Sequence, residues 1–196
     1  MLLHQQLDKY KLILASQSPR RKALLKGLDL TFEVRLIPNL DESFPASMNG
    51  AEVPVFLAQK KAEAYALTDN EILITADTVV LLDNEVLNKP TDIEHARELV
   101  GKLSGRKHEV VTGVCLRSIN KQYSFSASSL VYFATLSKEE IDFYIEKYKP
   151  LDKAGAYGVQ EWIGYAAIER IEGSYFNVMG LPVQQLYKEL ATFIAS

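Results

Sequence analysis

One aspartate, Asp77, sits inside the apolar, β-branched run Ile74-Thr75-Ala76-Asp77-Thr78-Val79-Val80. Burying an unpaired carboxylate costs several kcal/mol, so Asp77 must be paired, hydrogen-bonded, metal-bound or neutral. Neighbouring backbone or a lysine would satisfy it without any chemistry. A carboxylate in such a strand also suits a divalent cation, or a general base that activates water.

A second signal is Ser16-Gln17-Ser18-Pro19-Arg20-Arg21, which follows the apolar run 11–15. Ser18 can cap a helix and Pro19 fits its first turn. Two arginines in that turn oppose the helix dipole. Free backbone N–H groups, serines and adjacent guanidinium groups together describe a site for a phosphate chain. The structural alternative is a surface helix start whose arginines reach solvent.

Weaker signals surround these two. Asp41-Glu42, in a turn-rich stretch, could add a second carboxylate to a cation or remain solvated. Lys60-Lys61 and Lys89 have the same double reading, although Lys61 lies in an otherwise apolar helical segment and Lys89 precedes Pro90. In Asp152-Lys153-Ala154-Gly155-Ala156-Tyr157-Gly158-Val159-Gln160 the glycines permit close approach of backbone to a ligand, and the Gln160 amide can read a base edge. His108 and Cys115 read as structural.

The elements that must position these residues follow from patterning. Apolar or alternating runs predict strands at 11–15, 31–37, 72–82, 86–87, 109–119, 122–135 and 166–171. Helices are predicted at 18–28, 52–67, 92–103 and 137–148, with a last one opened by Pro182. Ser137 and Glu140 form a capping-box pattern, Asp83-Asn84-Glu85 reads as a hairpin turn, and residues 38–49 read as a long loop. The sum is an α/β protein with a mixed sheet and flanking helices.

Composition narrows the function classes. The 196 residues are 47% hydrophobic and 24% charged, an ordinary globular mix that excludes disorder. Twenty-two basic against 25 acidic residues give a net charge of -3, which argues against a general nucleic-acid binder. One cysteine and three histidines leave no disulfide and no thiolate zinc cage. No run reaches the ~18 apolar residues of a membrane span, and the polar N-terminus does not read as a signal peptide. The expected compartment is cytoplasmic.

Taken together, these segments resemble the Maf family of nucleotide pyrophosphatases. The matching pieces run in order from Ser16-Gln17-Ser18-Pro19-Arg20-Arg21 through Asp41-Glu42, Lys61-Ala62, Ala76-Asp77-Thr78 and Lys89-Pro90. They continue with Leu103-Ser104-Gly105, His108, Thr112-Gly113, the segment 152–160 and Asn177-Val178-Met179-Gly180-Leu181-Pro182. Residues 11–196 then form one Maf-like domain and residues 1–10 an N-terminal extension.

The resemblance implies a mixed, twisted sheet in two lobes around a central cleft, and a homodimer. It implies water attack between the α and β phosphates of a nucleoside triphosphate, giving monophosphate and pyrophosphate. By position Asp77 is the proton acceptor, and Glu42 with Asp77 would place Mg²⁺ or Mn²⁺. Ser18, Arg21, Lys61 and Lys89 would hold the phosphates. Arg20, Thr78 and Gln160 match the subgroup acting on dTTP and UTP, whereas tryptophan and glutamate replace Arg20 and Gln160 in the 7-methyl-GTP group. Two departures, Lys149 before Pro150 and Asn88 before Lys89, bear on fine specificity. The competing reading is a nucleotide-binding regulatory protein of cell division or septum formation, with little turnover.

Overall fold

The computed structural model describes residues 2–195, and within them the long apolar run becomes the centre of the sheet. That strand, β3 (Glu71–Leu82), is buried along nearly its whole length and pairs on both edges. On one edge it runs antiparallel to β5 (Lys107–Arg117), which pairs with β6 (Gln122–Phe133) and then β7 (Ile168–Glu172). On the other edge it runs parallel to β1 (Lys11–Leu14), which carries β2 (Glu33–Val34) outside it. The hairpin strand β4 (Glu85–Leu87) returns against the far end of β3 through Asp83 and Asn84, both at positive φ as a two-residue turn requires. The described residues thus form one seven-stranded mixed sheet.

Alternation along β3 divides the molecule. Ile72, Ile74, Ala76, Val80 and Leu82 face the main core, shared with α2 (Pro19–Lys26), α4 (Ile93–Leu103), α5 (Lys138–Tyr148) and α8 (Val183–Ala195). Leu73, Val79 and Leu81 face the opposite side, covered by α3 (Val53–Glu63). That helix comes close because β5 has Gly113 beneath it. A Cβ there would lie 2.3 Å from the Pro54 carbonyl carbon and the Val55 nitrogen.

Helix starts follow their caps. Ser18, Asp92 and Ser137 each accept a backbone N–H from the third residue on, and Glu140 completes the capping box with Ser137. The expected strand at 31–37 shrinks to Glu33–Val34, because its partner β1 offers only Ile13 and Leu14 before the chain turns away. Single-turn helices α6 (Trp162–Ala166) and α7 (Tyr175–Val178), and a 3-10 turn at Ala154–Ala156, were not expected from patterning. Elements this short do not span enough residues to show a period. Helix α1 (Leu3–Leu7) also stands outside the sequence expectations; it buries Leu3 and Leu7 in the main core. Among the described residues, no helix is long and apolar enough to cross a membrane.

Replacing Gly113 by alanine should cost at least ~1–3 kcal/mol of stability, because the clash is with backbone. An unchanged denaturant midpoint for Gly113→Ala would contradict the close approach of α3. A second expectation concerns His108, which is 2% exposed, 2.7 Å from the Tyr157 hydroxyl, and pushed down to about 4 from 6.5 by burial. A depressed folded-state value gives stability that is complete above pH 6.5 and declines as pH falls toward 4. Comparison with His108→Gln should isolate roughly 3 kcal/mol of that decline. Parallel pH–stability curves would show that His108 does not carry it.

Candidate active site

β1 pairs with β3 only at residues 71–74, and β4 pairs with the same edge only at residues 80–82. Residues 75–79 therefore present an edge that neither strand covers, and Asp77 and Thr78 lie at its centre. β1 departs into the Ser16–Arg21 turn on one side of the gap, and β4 runs out to Asn88 and Lys89 on the other. A cavity of about 720 Å³ opens here, bordered by Ser18, Arg20, Arg21, Glu42, Lys61, Asp77, Thr78, Lys89 and Asp152 among others. Diverging strands at the carboxyl end of a parallel pair commonly create such a crevice.

Asp77 and Thr78 point to opposite faces of β3, and the uncovered edge lets the cavity reach both. Asp77 faces α3, where the Lys61 ammonium lies 2.5 Å from Asp77 Oδ1 and 2.8 Å from Glu42 Oε1. The Asp77 and Lys61 side chains are only 15% and 11% exposed, so this pair is substantially desolvated. Glu42 Oε2 is also 3.6 Å from Lys89. Partial burial works against the charge on Glu42, but Lys61 and Lys89 outweigh it and hold the carboxyl below its ordinary value.

The neighbouring pair resolves differently. Asp41 turns to Lys60 at 2.7 Å and to its own loop at Ser43, so only Glu42 of the acidic dipeptide borders the cavity. Lys60 anchors the same loop by donating to the Ser43 carbonyl at 2.9 Å.

On the other face, Thr78 Oγ1 lies 2.9 Å from Thr112 Oγ1 and accepts from Arg21 Nη2 at 3.0 Å. Arg21 Nε donates to the Gly180 carbonyl at 2.8 Å. Arg21 is therefore no solvated helix-start arginine. It ties α2 to β3 and to the turn after α7, and burial lowers its pKa against the opposing pull of Asp77. Arg20 makes a looser ion pair with Asp152, 3.5 Å away.

Ser18 caps α2 and borders the cavity. Gln160 does not border it: its side chain is exposed, although Gly158 and Val159 just before it line the wall. Arg20 and Thr78 are thus brought to the cleft and Gln160 is not. Sequence reasoning missed Lys153, whose ammonium bridges Asp152 at 2.7 Å and Glu161 at 3.1 Å. Its signal was present, a lysine between an aspartate and a glycine turn, but ion pairing gives it no periodicity to read.

Five basic side chains border the cavity (Arg20, Arg21, Lys61, Lys89, Lys153) against three acidic ones (Glu42, Asp77, Asp152). A local surplus of two positive charges in a chain of net charge -3 marks an anion site. Fold and site together define an α/β protein whose cleft is built for a polyanion, with two carboxylates held on one lysine.

The chain belongs to the Maf family: the family model for Maf-like protein matches residues 11–193. It is 56% identical to a dTTP/UTP pyrophosphatase of Porphyromonas gingivalis, covering 95% of this chain and 96% of that one. A dTTP/UTP pyrophosphatase of Bacteroides thetaiotaomicron is 55% identical, over 94% and 96%. One from Flavobacterium johnsoniae is 46% identical, over 98% and 100%.

Because Arg21 is built into the wall, Arg21→Ala should lose stability as well as triphosphate affinity. Two bonds from a charged donor correspond to roughly 1.5–3 kcal/mol each. Arg21→Lys should restore charge but little of the stability. A melting temperature unchanged in both variants would show that the two bonds contribute nothing to the fold.

Proposed function

We propose that the chain hydrolyses nucleoside triphosphates, dTTP and UTP foremost, to the monophosphate and pyrophosphate. The observation that carries this is Asp77, a carboxylate held on an uncovered strand edge by Lys61 within a cavity of positive balance. The names of relatives that match nearly the full chain support the same reaction and the same bases.

In this reading the triphosphate lies along Ser18, Arg21, Lys61 and Lys89, where its oxygens compete with Glu42 for the two lysines. Asp77 accepts a proton from the attacking water, and the surrounding cations stabilise charge that develops on the phosphates. No covalent nucleophile is needed.

A divalent cation fits the donor set. Glu42 and Asp77 converge on one ammonium, so both carboxylates already point to a common place. Among the described residues, no group of three or more acidic, histidine or cysteine side chains could hold an ion. Two carboxylates completed by substrate phosphate are the usual Mg²⁺ arrangement, so the ion would bind with the nucleotide. When bound, Mg²⁺ or Mn²⁺ would polarise phosphoryl oxygens.

Arg20 and Thr78, at the cavity wall, are the proposed determinants of base preference; Gln160, exposed beyond it, is not placed to read a base. A homodimer in the cytoplasm is the proposed setting.

A nucleotide panel with pyrophosphate detection tests this. The expected result is a higher kcat/KM for dTTP and UTP than for dCTP, ATP or 7-methyl-GTP, abolished by a chelator and restored by Mg²⁺ or Mn²⁺. Tight dTTP binding without pyrophosphate release would replace the enzyme reading with the regulatory one. Equal specificity constants across the panel would remove the pyrimidine assignment alone.

A further inference from the structure

The cleft has two chemically different walls. Lys61 and Lys89 form a cationic wall suited to phosphate. The facing wall, residues 152–159, carries Tyr157, Gly158 and Val159 at its surface, with its charges paired among themselves. Arg20, Asp152, Lys153 and Glu161 sum to zero, and a charge-neutral wall with an apolar surface suits the uncharged nucleoside.

Behind that wall the pairing is continuous. Tyr144, fully buried on α5, donates its hydroxyl proton to Glu161 Oε2 at 2.5 Å and accepts the Gly158 N–H at 3.0 Å. Glu161 Oε1 lies 3.1 Å from the Lys153 ammonium, which lies 2.7 Å from Asp152 Oδ1. Asp152 Oδ2 is 3.5 Å from Arg20, at the start of α2. The loop rests directly on this chain: a Cβ at Gly158 would come within 2.9 Å of the Glu161 carboxyl carbon and 3.1 Å of Lys153 Cε. Burial, reinforced by Glu161, keeps the Tyr144 phenol protonated and hence a donor. The loop also holds Ala156 at φ 58, a conformation a non-glycine residue keeps only where its surroundings impose it.

We propose that this chain of paired side chains, anchored on the buried Tyr144, sets the position of the nucleoside-facing wall, and that Tyr144 and Glu161 are positioning residues for substrate selection. The proposal rests on the nucleotide reading above. A ring behind the wall thereby governs binding through Glu161, Gly158 and Lys153, while Lys61, Glu42 and Asp77 on the other wall are left undisturbed. Connected polar networks act as units, so a break at one link is felt at the next.

The test compares Tyr144→Phe, Glu161→Gln and Asp152→Asn with the unaltered protein in steady-state kinetics on dTTP, UTP and ATP, with melting temperature measured alongside. Tyr144→Phe keeps the ring volume and removes only the hydroxyl. It should raise KM for dTTP and UTP ~10-fold and cut the preference over ATP by a similar factor, with kcat within ~2-fold. Glu161→Gln should shift KM and preference in the same direction. A loss of kcat for every nucleotide alike, or unchanged KM and preference, would overturn the positioning role. If Tyr144→Phe fails to fold, Asp152→Asn decides, since its side chain is 63% exposed and its change weakens the pairs with Arg20 and Lys153 while leaving the Tyr144–Glu161 bond in place. Raised KM and reduced preference there sustain the proposal; no change overturns it. If the unaltered protein releases no pyrophosphate from any nucleotide, the function reading fails and dTTP affinity by calorimetry takes over as the measure. Affinity ~10-fold weaker in the variants then upholds the network, and equal affinity refutes it.

Discussion

A single ammonium between two carboxylates is the interaction on which the rest of the site depends. Lys61 meets Asp77 and Glu42 within 2.5 and 2.8 Å, with little water around it. Removing one member of a buried, hydrogen-bonded pair typically costs about 3–5 kcal/mol, because the other charge is left behind. The three side chains come from a strand, a helix and a loop, so each element must hold its place for the others to stay neutralised. Lys61 requires α3 to lie on the sheet, which Gly113 permits and the 2.6 Å bond from Thr75 Oγ1 to the Ala58 carbonyl secures. Glu42 requires the 38–49 loop to lie across the cleft, which Lys60 enforces through Asp41 and Ser43.

The same constraint explains why the site is open. A strand edge covered along its whole length would leave no access to Asp77. β1 stops after four residues and β4 joins only at the far end, and Asp77, Thr78 and Val79 in the uncovered stretch between them line the cleft. Thr78, one residue on, faces the main core and recruits Arg21, so both faces of one strand contribute to one cavity.

Much of this could be read from residue types. An aspartate in a β-branched run, Ser18 before Pro19, the Asp83-Asn84 turn and the Ser137–Glu140 box each specify a local geometry that tertiary structure does not override. Ser18, Arg20, Arg21, Glu42, Lys61, Asp77, Thr78 and Lys89 all border the cavity. What sequence could not show depends on partners distant in the chain. Arg21 reads as a phosphate ligand or a solvated arginine, and its structural role stays hidden because Gly180, its acceptor, lies 159 residues away. Residue type alone does not separate Asp41 from Glu42; adjacent lysines on α3 turn them to different partners. Gln160 reads as a base-reading residue because its amide can both donate and accept, yet its side chain is exposed outside the cavity.

The claim that Asp77 is the proton acceptor is the centre of the account, and turnover of Asp77→Asn measures it most directly. An amide of nearly the same shape keeps contact with Lys61 but cannot take the proton from water, while Lys61 retains Glu42 as a counter-charge. The expected result is a folded protein that still binds dTTP and releases pyrophosphate about 10²–10⁴-fold more slowly. Near-normal turnover by a folded Asp77→Asn protein would contradict it.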